Sequence, residues 1–362
     1  MNKWVQCELG DLLTFQRGHD LPKTSMIDGE YPVVGSNGII GYHNEFTTDA
    51  PSITIGRSGN VGNPFVYYGK TWSHNTTLYV KEFKNIDPVF AYYFLKTLKL
   101  DNYAGGSAVP TLNRNHIHCL TVSVPSDIET QKKIADILKN LDDKIEENNK
   151  INNNLQEQAQ ALYQQMFIDN SSPNWREGVL SDVADITMGQ SPSGSSYNED
   201  GNGTIFFQGR AEFGFRFPTV RLFTTEPKRM ACTNDTLMSV RAPVGDLNVA
   251  YTDCCIGRGL ASIRSKTNHQ SFVHYTMFAL RKQLDVFNGE GTVFGSINRN
   301  ALNEIPIIIP SNDKLDEFEE IVSQMDAKIR NNYAEICHLE QLRDSLLPKL
   351  MSGEIDISIA NI

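Results

Sequence analysis

Two stretches of the chain place apolar residues at alternating spacings of three and four, which predicts long helices that pack along a narrow seam. The first seam comprises Ile134, Leu138, Leu141, Ile145, Asn148, Asn152, Leu155, Ala159, Leu162 and Met166. The second comprises Phe318, Val322, Met325, Ile329, Asn332, Ile336, Leu339, Arg343, Leu346 and Leu350, with one polar slip at Arg343. A helix of about 40 residues is about 60 Å long, so we expect the two helices to bury each other. A separate amphipathic surface helix in each stretch is the alternative.

Asparagines interrupt both seams near their middle. Asn148 and Asn152 lie in the first seam, and Asn332 occupies the place of Asn148 in the second. A seam asparagine weakens a coiled coil but fixes its register. If the helices run antiparallel about a two-fold axis, Asn152 faces Asn332, and we predict that their side chains are in contact.

The ends of the long helices carry signals of their own. Ser126 and Glu129 fit a capping box that starts the first helix. In the second helix, Pro348 predicts a kink or an end, and Gly353 a stop.

The chain repeats itself at about half its length. Trp, Leu, Asp and Gly at positions 4, 9, 11 and 18 recur at 175, 180, 182 and 189. Further on, the Asn-Arg-Asn triplet at 113–115 recurs at 298–300, shortly before a strand-like run in both places. One unit therefore occurs twice, which is a two-fold duplication rather than a solenoid of short repeats.

Each copy has the same predicted internal order. Short alternating apolar runs between Gly, Pro and Asn turns predict strands, and a short helix is predicted at 90–99 and again near 272–282. The fold class is α+β (mixed α/β), with two pseudo-symmetric domains separated by two long antiparallel coiled-coil helices. The predicted segments are 1–125, 126–170 (the central helix), 171–311 and 312–362 (the C-terminal helix and tail).

The composition of the 362-residue chain is that of an ordinary globular protein, with 40% hydrophobic and 21% charged residues. It excludes disordered, collagen-like and disulfide-scaffold classes. No apolar run approaches the length of a membrane span, and the six cysteines form no Cys-x-x-Cys pair, so we expect reduced thiols and a cytoplasmic protein.

The sequence contains no complete catalytic motif. The segment Gly69-Lys70-Thr71 resembles the end of a phosphate-binding loop, but Pro64 stands where that motif requires glycine. His116 and His118, taken in strand alternation, would point to one face without further ligands, so we favour a structural role over a metal site.

The net charge of −10 is unevenly distributed. Segments 1–125 and 169–311 carry net charges of 0 and −1, whereas segments 126–168 and 312–362 carry −3 and −6. The acidic helical segments suggest protein partners, and an acidic chain therefore does not argue against DNA binding.

Gly-flanked polar loops in both copies hold the candidate DNA-binding residues. Arginine reads guanine through two hydrogen bonds, and asparagine and glutamine read adenine. Glycine lets the protein backbone approach a DNA duplex closely. The candidates are Arg57, Ser58, Asn60, Asn63, His74, Asn75 and Arg114 in the first copy, and Gln208, Arg210, Arg216, Arg221, Arg241, Arg258 and Arg299 in the second. The alternative is that these are ordinary loop residues. For the Asn-Arg-Asn triplets, a structural turn is favoured slightly over base contact.

The two helix regions resemble the specificity (S) subunit of type I restriction–modification systems. The run from Val124 to Leu138 (VPSDIETQKKIADIL) is similar to that family's entry into its central helix, with Ser126 where a second proline is common. The run from Leu346 to Ile355 (LLPKLMSGEI) is similar to the family's ending, whereas 314–318 lacks the Glu-Gln pair of the motif.

This resemblance implies a non-catalytic reader of double-stranded DNA that binds no cofactor itself. Segments 1–125 and 171–311 would be target recognition domains, each contacting one half of a bipartite site, and the helices would set the gap. Two modification (methyltransferase) subunits, which would hold S-adenosylmethionine, and restriction subunits would be the protein partners. The alternatives are a duplicated protein-interaction scaffold without a DNA role, and a specificity domain cut from a fused enzyme.

Overall fold

In the computed structural model, which describes residues 4–106, 110–289 and 295–357, a similar succession of strands and helices occurs twice. The helices α1 to α9 are Leu9–Leu12, Pro88–Thr97, Arg114–His118, Ile128–Tyr163, Leu180–Val183, Gln270–Ala279, Arg281–Leu284, Arg299–Asn303 and Asn312–Ser352. Both short helices predicted from the apolar runs are present, as α2 and α6. None of the described helices has the length and apolar composition needed to cross a membrane.

The strands of the first copy are β1 to β11: Trp4–Glu8, Leu13–Arg17, Tyr31–Gly35, Gly38–His43, Ser52–Gly56, Pro64–Tyr67, Trp72–Ser73, Thr77–Phe83, Ala104–Gly105, Thr111–Leu112 and Thr121–Pro125. Those of the second are β12 to β22: Arg176–Val179, Ala184–Met188, Tyr197–Asn198, Thr204–Phe207, Leu222–Thr224, Met230–Ala231, Thr236–Ser239, Leu247–Val249, Cys254–Ile256, Leu260–Ser265 and Pro306–Ile309.

The four-stranded sheet and the pairing of first with last strand are the same in both copies, whereas the second sheet has three strands in one copy and five in the other. The order β2-β8-β5-β6 in the first copy matches β13-β21-β18-β19 in the second. A second sheet contains the parallel pair β3 and β7 in one copy and the parallel pair β15 and β20 in the other. The first strand of each copy pairs antiparallel with the last, β1 with β11 and β12 with β22. The α+β fold with an internal two-fold repeat is therefore confirmed.

The chain packs as two compact units, and each long helix contributes to both of them. Unit 1 consists of Met1–Glu147 and Glu335–Ile362, and unit 2 of Asn148–Ala334. Each recognition fold thus completes its core with one half of α4 and one half of α9.

In unit 1, the N-terminal half of α4 and the C-terminal half of α9 join one apolar core. Ile134 and Leu138 of α4 and Leu350 of α9 are almost fully buried together with strand residues such as Ile53 and Leu78. The strand β5 is buried along its whole length, because sheet covers it on both sides and helix α2 packs on the same core.

In unit 2, the other halves of the two helices run antiparallel. Tyr163 near the end of α4 meets Phe318 near the start of α9, with ring centroids 6.0 Å apart, whereas Asn152 pairs with Asn332 further along. Residues of α4 therefore meet residues of α9 in reverse order, as the seam spacing predicts.

The predicted asparagine contact is confirmed. Asn332 Nδ2 donates to Asn152 Oδ1 over 2.8 Å, and both side chains are at least 97% buried. Asn148 is also buried, and its amide nitrogen and Asn332 Oδ1 have no hydrogen-bond partner among the described residues. The seam thus contains one hydrogen-bonded pair, which specifies this register, and two unmet polar groups at the same level, which make the seam less stable than an all-leucine one.

The predicted ends of the long helices need two corrections. The cap of α4 is Asp127 instead of Ser126: the backbone N–H and the hydroxyl of Thr130 both donate to Asp127 Oδ2, at 3.0 and 2.9 Å. These hydrogen bonds lower the pKa of Asp127, and Glu129 instead pairs with Lys132.

Helix α9 continues through Pro348 to Ser352, so the proline does not end the helix. Pro348 lacks the N–H that would bond the carbonyl of Asp344 one turn earlier, but the buried Leu350 and Met351 hold the last turn on the core of unit 1. Gly353 then adopts a φ of 78°, a left-handed conformation that stops a helix.

We predict that the Asn152–Asn332 pair behaves as a coupled unit. Asn152→Leu leaves the Asn332 amide buried without its partner, and we expect it to lower the free energy of unfolding by about 1–3 kcal/mol. Combining Asn152→Leu with Asn332→Leu removes both polar groups and should recover most of that loss. Urea unfolding of the single and double variants measures the coupling.

The neighbouring Asn153 is exposed and provides the matched control. Asn153→Leu should leave the unfolding midpoint nearly unchanged. Additive losses in the double variant would show that the two amides do not act together.

Candidate nucleic-acid interface

In unit 1, the chain segments 18–19 and 73–77 meet at one edge of the sheet, because glycine allows their two backbones to touch. Gly18 N–H donates to Thr77 O at 3.0 Å and His19 N–H to Ser73 O at 2.8 Å. A side-chain carbon at Gly18 would lie 2.1 Å from His74 O, which is impossible without movement. The repeated glycine of the sequence motif is thus a packing requirement.

A basic concavity of about 500 Å³ lies at this edge. Arg57, directly after β5, accepts a backbone hydrogen bond from Leu112 at 2.8 Å, and this contact brings it close to Arg114 in the next loop. Among the residues lining the concavity are Arg17, Arg57, Asn113, Arg114 and His116. Arg57 and Arg114 have no acidic partner among the described residues, whereas Arg17 lies 3.4 Å from Asp20.

The remaining candidates of unit 1 have partners of their own. Asn63 Nδ2 donates to Asn60 Oδ1 at 3.1 Å, which closes the loop that Ser58 begins. Asn75 donates to Asp20, and His74 Nδ1 lies 3.1 Å from Thr76 Oγ1.

In unit 2, the same backbone contacts recur with different side chains. Gly189 N–H donates to Leu260 O at 2.9 Å, and a side-chain carbon there would lie 2.2 Å from Gly257 O. Gly257 therefore occupies the place of His74, and the exposed Arg258 the place of Asn75.

The arginines of the second loop pair also correspond in place. The backbone of Arg241 forms an isolated β-bridge with Ser296, as the backbone of Ser58 does with Thr111. Arg241 is therefore equivalent to Ser58 and lies one position beyond the equivalent of Arg57. Arg241, Arg258 and Arg299 are exposed and have no acidic partner in the described part of the chain. The exposed Gln208 lies next to Arg258, since Gly259 N–H donates to Gln208 O at 3.2 Å.

The two Asn-Arg-Asn triplets begin short helices, α3 and α8. Asn113 and Asn298 cap them by accepting hydrogen bonds from Asn115 N–H and Ala301 N–H, at 3.0 and 2.9 Å. Arg114 and Arg299 are therefore the first helical residues in their copies, and both are exposed.

His116 and His118 lie in α3, so the prediction of strand alternation for them was wrong. His118 Nε2 accepts a hydrogen bond from Phe15 N–H at 3.0 Å, and burial together with the charges of Arg114 and Lys84 lowers its pKa. His118 is a neutral structural residue, and the described residues contain no group of three or more His, Cys, Asp or Glu side chains that would suit a metal ion.

A family model described as type I restriction modification DNA specificity domain matches residues 1–157 and again residues 173–341. The chain belongs to this family. Its two matched regions begin and end near the boundaries of the repeat, so the chain is a type I restriction–modification specificity subunit with two recognition domains, and DNA sequence recognition is its function.

Individual relatives agree with this assignment. The chain is 29% identical over 330 residues to the putative type I restriction enzyme MjaX specificity subunit of Methanocaldococcus jannaschii, covering 84% of this chain and 77% of that protein. It is 24% identical to the type I restriction enzyme HindI specificity subunit of Haemophilus influenzae, covering 68% and 71%. The crystal structure of an S subunit from M. genitalium has the same fold, with a TM-score of 0.68 over 96% of both chains at 18% identity.

Three arginines predicted to contact DNA in this specificity subunit, Arg210, Arg221 and Arg216, already have acidic partners, and the first two are paired at the surface. Arg210 lies 2.8 Å from Asp246, and Arg221 lies 2.7 Å from Glu212 and 3.2 Å from Glu199. Both are still half-exposed, so they remain candidates for DNA contact.

Arg216 requires a correction. Its side chain is 95% buried and pairs with Asp326 of α9 and with His274 of α6. A guanidinium in that position is not accessible to a DNA duplex, because its donors are already used inside unit 2. The alternation of arginines with phenylalanines in 207–221 does not reveal which of them faces inward.

Sequence reasoning missed Arg17 and assigned His116 to structure alone, although both line the concavity of unit 1. For Arg17 a signal was present: it directly precedes the repeated Gly18.

We predict that Arg114 and Arg299 contact phosphates. The two domains differ in their other loop side chains but share these arginines, and a contact common to two different readers suits the invariant backbone of DNA. Arg299→Ala should weaken binding to all duplexes alike and reduce the salt slope of log K by about 1. Fluorescence anisotropy at several salt concentrations measures this slope.

Arg241→Ala is the contrasting variant, and we expect it to relax one base position instead. Arg176 is exposed and lies on β12, away from these loops in sequence, so Arg176→Ala is a control for the loss of one positive charge. A slope that falls equally in Arg176→Ala and Arg299→Ala would contradict the phosphate contact.

Proposed function

We propose that this specificity subunit recognises a bipartite DNA sequence, with unit 1 reading one half and unit 2 the other. The observation that carries the proposal is the repetition of one loop framework with different side chains. Arg57 and Ser58 of unit 1 correspond to Val240 and Arg241 of unit 2 in backbone position, and Asn75 corresponds to Arg258. One framework with two sets of side chains suits two different half-sites joined in one protein.

The long helices are proposed to set the gap between the half-sites and to dock the protein partners. Segments 126–168 and 312–362 hold a net charge of −9, whereas the two recognition segments are nearly neutral. Such an acidic surface repels DNA but suits basic faces of proteins. The partners are two modification (methyltransferase) subunits and restriction subunits. In this proposal the chain itself is non-catalytic, and S-adenosylmethionine is bound by the modification subunits.

Mapping of methylated adenines across a genome tests this function. A host that expresses the modification subunits is compared with and without the gene for this chain. We expect a split motif, two short specified blocks separated by a fixed unspecified gap, to be methylated only when the chain is present. Methylation that does not depend on the chain, or that has no split motif, would favour the interaction scaffold.

We further predict that the length of α4 controls the gap. Four residues inserted after Asn148 extend the helix by about 6 Å, close to the rise of two base pairs at about 3.4 Å each, and nearly one turn keeps the seam on the same face. Both half-sites should stay the same while the gap grows by about one or two base pairs in the methylation map.

The same four residues inserted at Gly201, in an exposed turn of unit 2, are the control. That insertion should leave the gap unchanged. An unaltered gap after the helix insertion would exclude α4 as the spacer.

A further inference from the structure

Both units contain the same hydrogen bond between a short helix and a long helix. Tyr93 of α2 donates its hydroxyl to Asp142 Oδ2 of α4 over 2.6 Å, and Tyr275 of α6 donates to Asp326 Oδ1 of α9 over 3.0 Å. Burial is the first cause that raises the pKa of both tyrosines, so both hydroxyls stay protonated donors. The repeat therefore duplicates a pair of a buried tyrosine and a partly exposed aspartate.

An arginine neutralises each aspartate, but it comes from a different part of the chain in each unit. In unit 1 the arginine is Arg343 of α9, whose Nη1 lies 2.8 Å from Asp142 Oδ1. This explains why a charged residue, Arg343, occupies a position of the second seam. The residue that matches Arg343 in the other long helix is Ala159, which is completely buried and carries no charge.

In unit 2 the arginine comes from a recognition loop. Arg216 pairs with Asp326, lies within hydrogen-bond distance of His274, and reaches Gln156 Oε1 of α4 at 3.4 Å. His274 is buried, and its pKa is lowered by burial and by the Arg216 charge, so its Nε2 is an acceptor for the guanidinium. One loop residue thus contacts both long helices and the short helix.

The backbone around Arg216 is fixed as well. Val249 N–H donates to Arg216 O at 2.9 Å, and Asn248 Nδ2 donates to Gly214 O at 2.9 Å. Next to it, Phe217 is buried and packs on Tyr333 of α9, with ring centroids 4.9 Å apart. The segment 214–217 is an anchor, while Gln208, Arg210 and Arg221 on either side of it are exposed.

We propose that Arg216 is a positioning residue for the second recognition domain: it ties the loop 208–221 to the long helices through Asp326, so that base reading by this loop depends on that buried pair. In the first domain, the equivalent aspartate, Asp142, pairs with Arg343 of helix α9. Base reading by the loops of the first domain therefore does not depend on that ion pair. This inference rests on the proposed reading of separate half-sites by the two units.

The test compares Arg216→Leu with the matched variant Arg343→Leu in the full chain assembled with its modification subunits. Affinity is measured for the cognate duplex and for duplexes in which either half-site is scrambled. We expect Arg216→Leu to reduce discrimination at the half-site of unit 2 by about tenfold, the value of one good base contact, and to leave the other half-site unaffected. Arg343→Leu should lower thermal stability and leave discrimination at both half-sites unchanged.

A second measurement keeps the proposal testable without DNA. Trypsin cleavage after Arg210 and Arg221 should be faster in Arg216→Leu than in the parent chain, and unchanged in Arg343→Leu. If Arg216→Leu does not fold, Arg216→Lys is used, because lysine keeps the charge beside Asp326 but cannot make the three separate contacts; it should show the same changes at smaller size.

Equal loss of discrimination at both half-sites, or unchanged trypsin cleavage in a folded Arg216 variant, would overturn the proposal that Arg216 ties the loop 208–221 to the long helices. Failure of the proposed function is a different result, since the parent chain itself would then show no discrimination at either half-site. In that case the cleavage measurement still decides whether Arg216 holds the loop.

Discussion

The burial of one long helix against the other is the interaction on which the rest of this structure depends. Their halves supply Ile134 and Leu138 to the core of unit 1 and Phe318 and Val322 to that of unit 2. These side chains belong to the same apolar cores as the two sheets, whose strands β5 and β18 are buried along their whole length. The register of the helices therefore determines which of their side chains pack against each sheet. A buried asparagine pair fixes that register, which leucines alone would leave degenerate.

The features that depend on spacing could be predicted from the sequence, whereas those that depend on side-chain direction could not. Seam residues repeat with a fixed period, so the Asn152–Asn332 contact follows from counting. The direction of Arg216 does not, since an arginine between phenylalanines reads the same whether it lies on a surface or in a core. The helix cap at Asp127 was missed for a related reason: Ser126 and Asp127 are both good caps, and only the backbone decides between them.

The loops that carry recognition residues were predicted in part. The repeat aligned the glycines at 18 and 189 without giving a reason for them, and the structure supplies it in the carbonyl groups of His74 and Gly257. The convergence of Arg17 and Arg57 was not predictable, because these residues are 40 positions apart and meet only through the pairing of β2, β8 and β5. Tertiary pairing of this kind leaves no local pattern.

The same framework can carry different side chains because the hydrogen bonds that its two copies share are between backbone atoms. His74 N–H donates to Val34 O at 2.9 Å in unit 1, and Gly257 N–H donates to Phe207 O at 2.8 Å in unit 2. The residue types differ at both ends of this bond, yet its geometry is the same. Where a recognition loop is instead held by a side chain, as at Arg216, a change in that side chain alters the position of the loop as well as its chemistry. Two copies of one fold can therefore differ in how freely their loops accept substitution, even though their sheets are built alike.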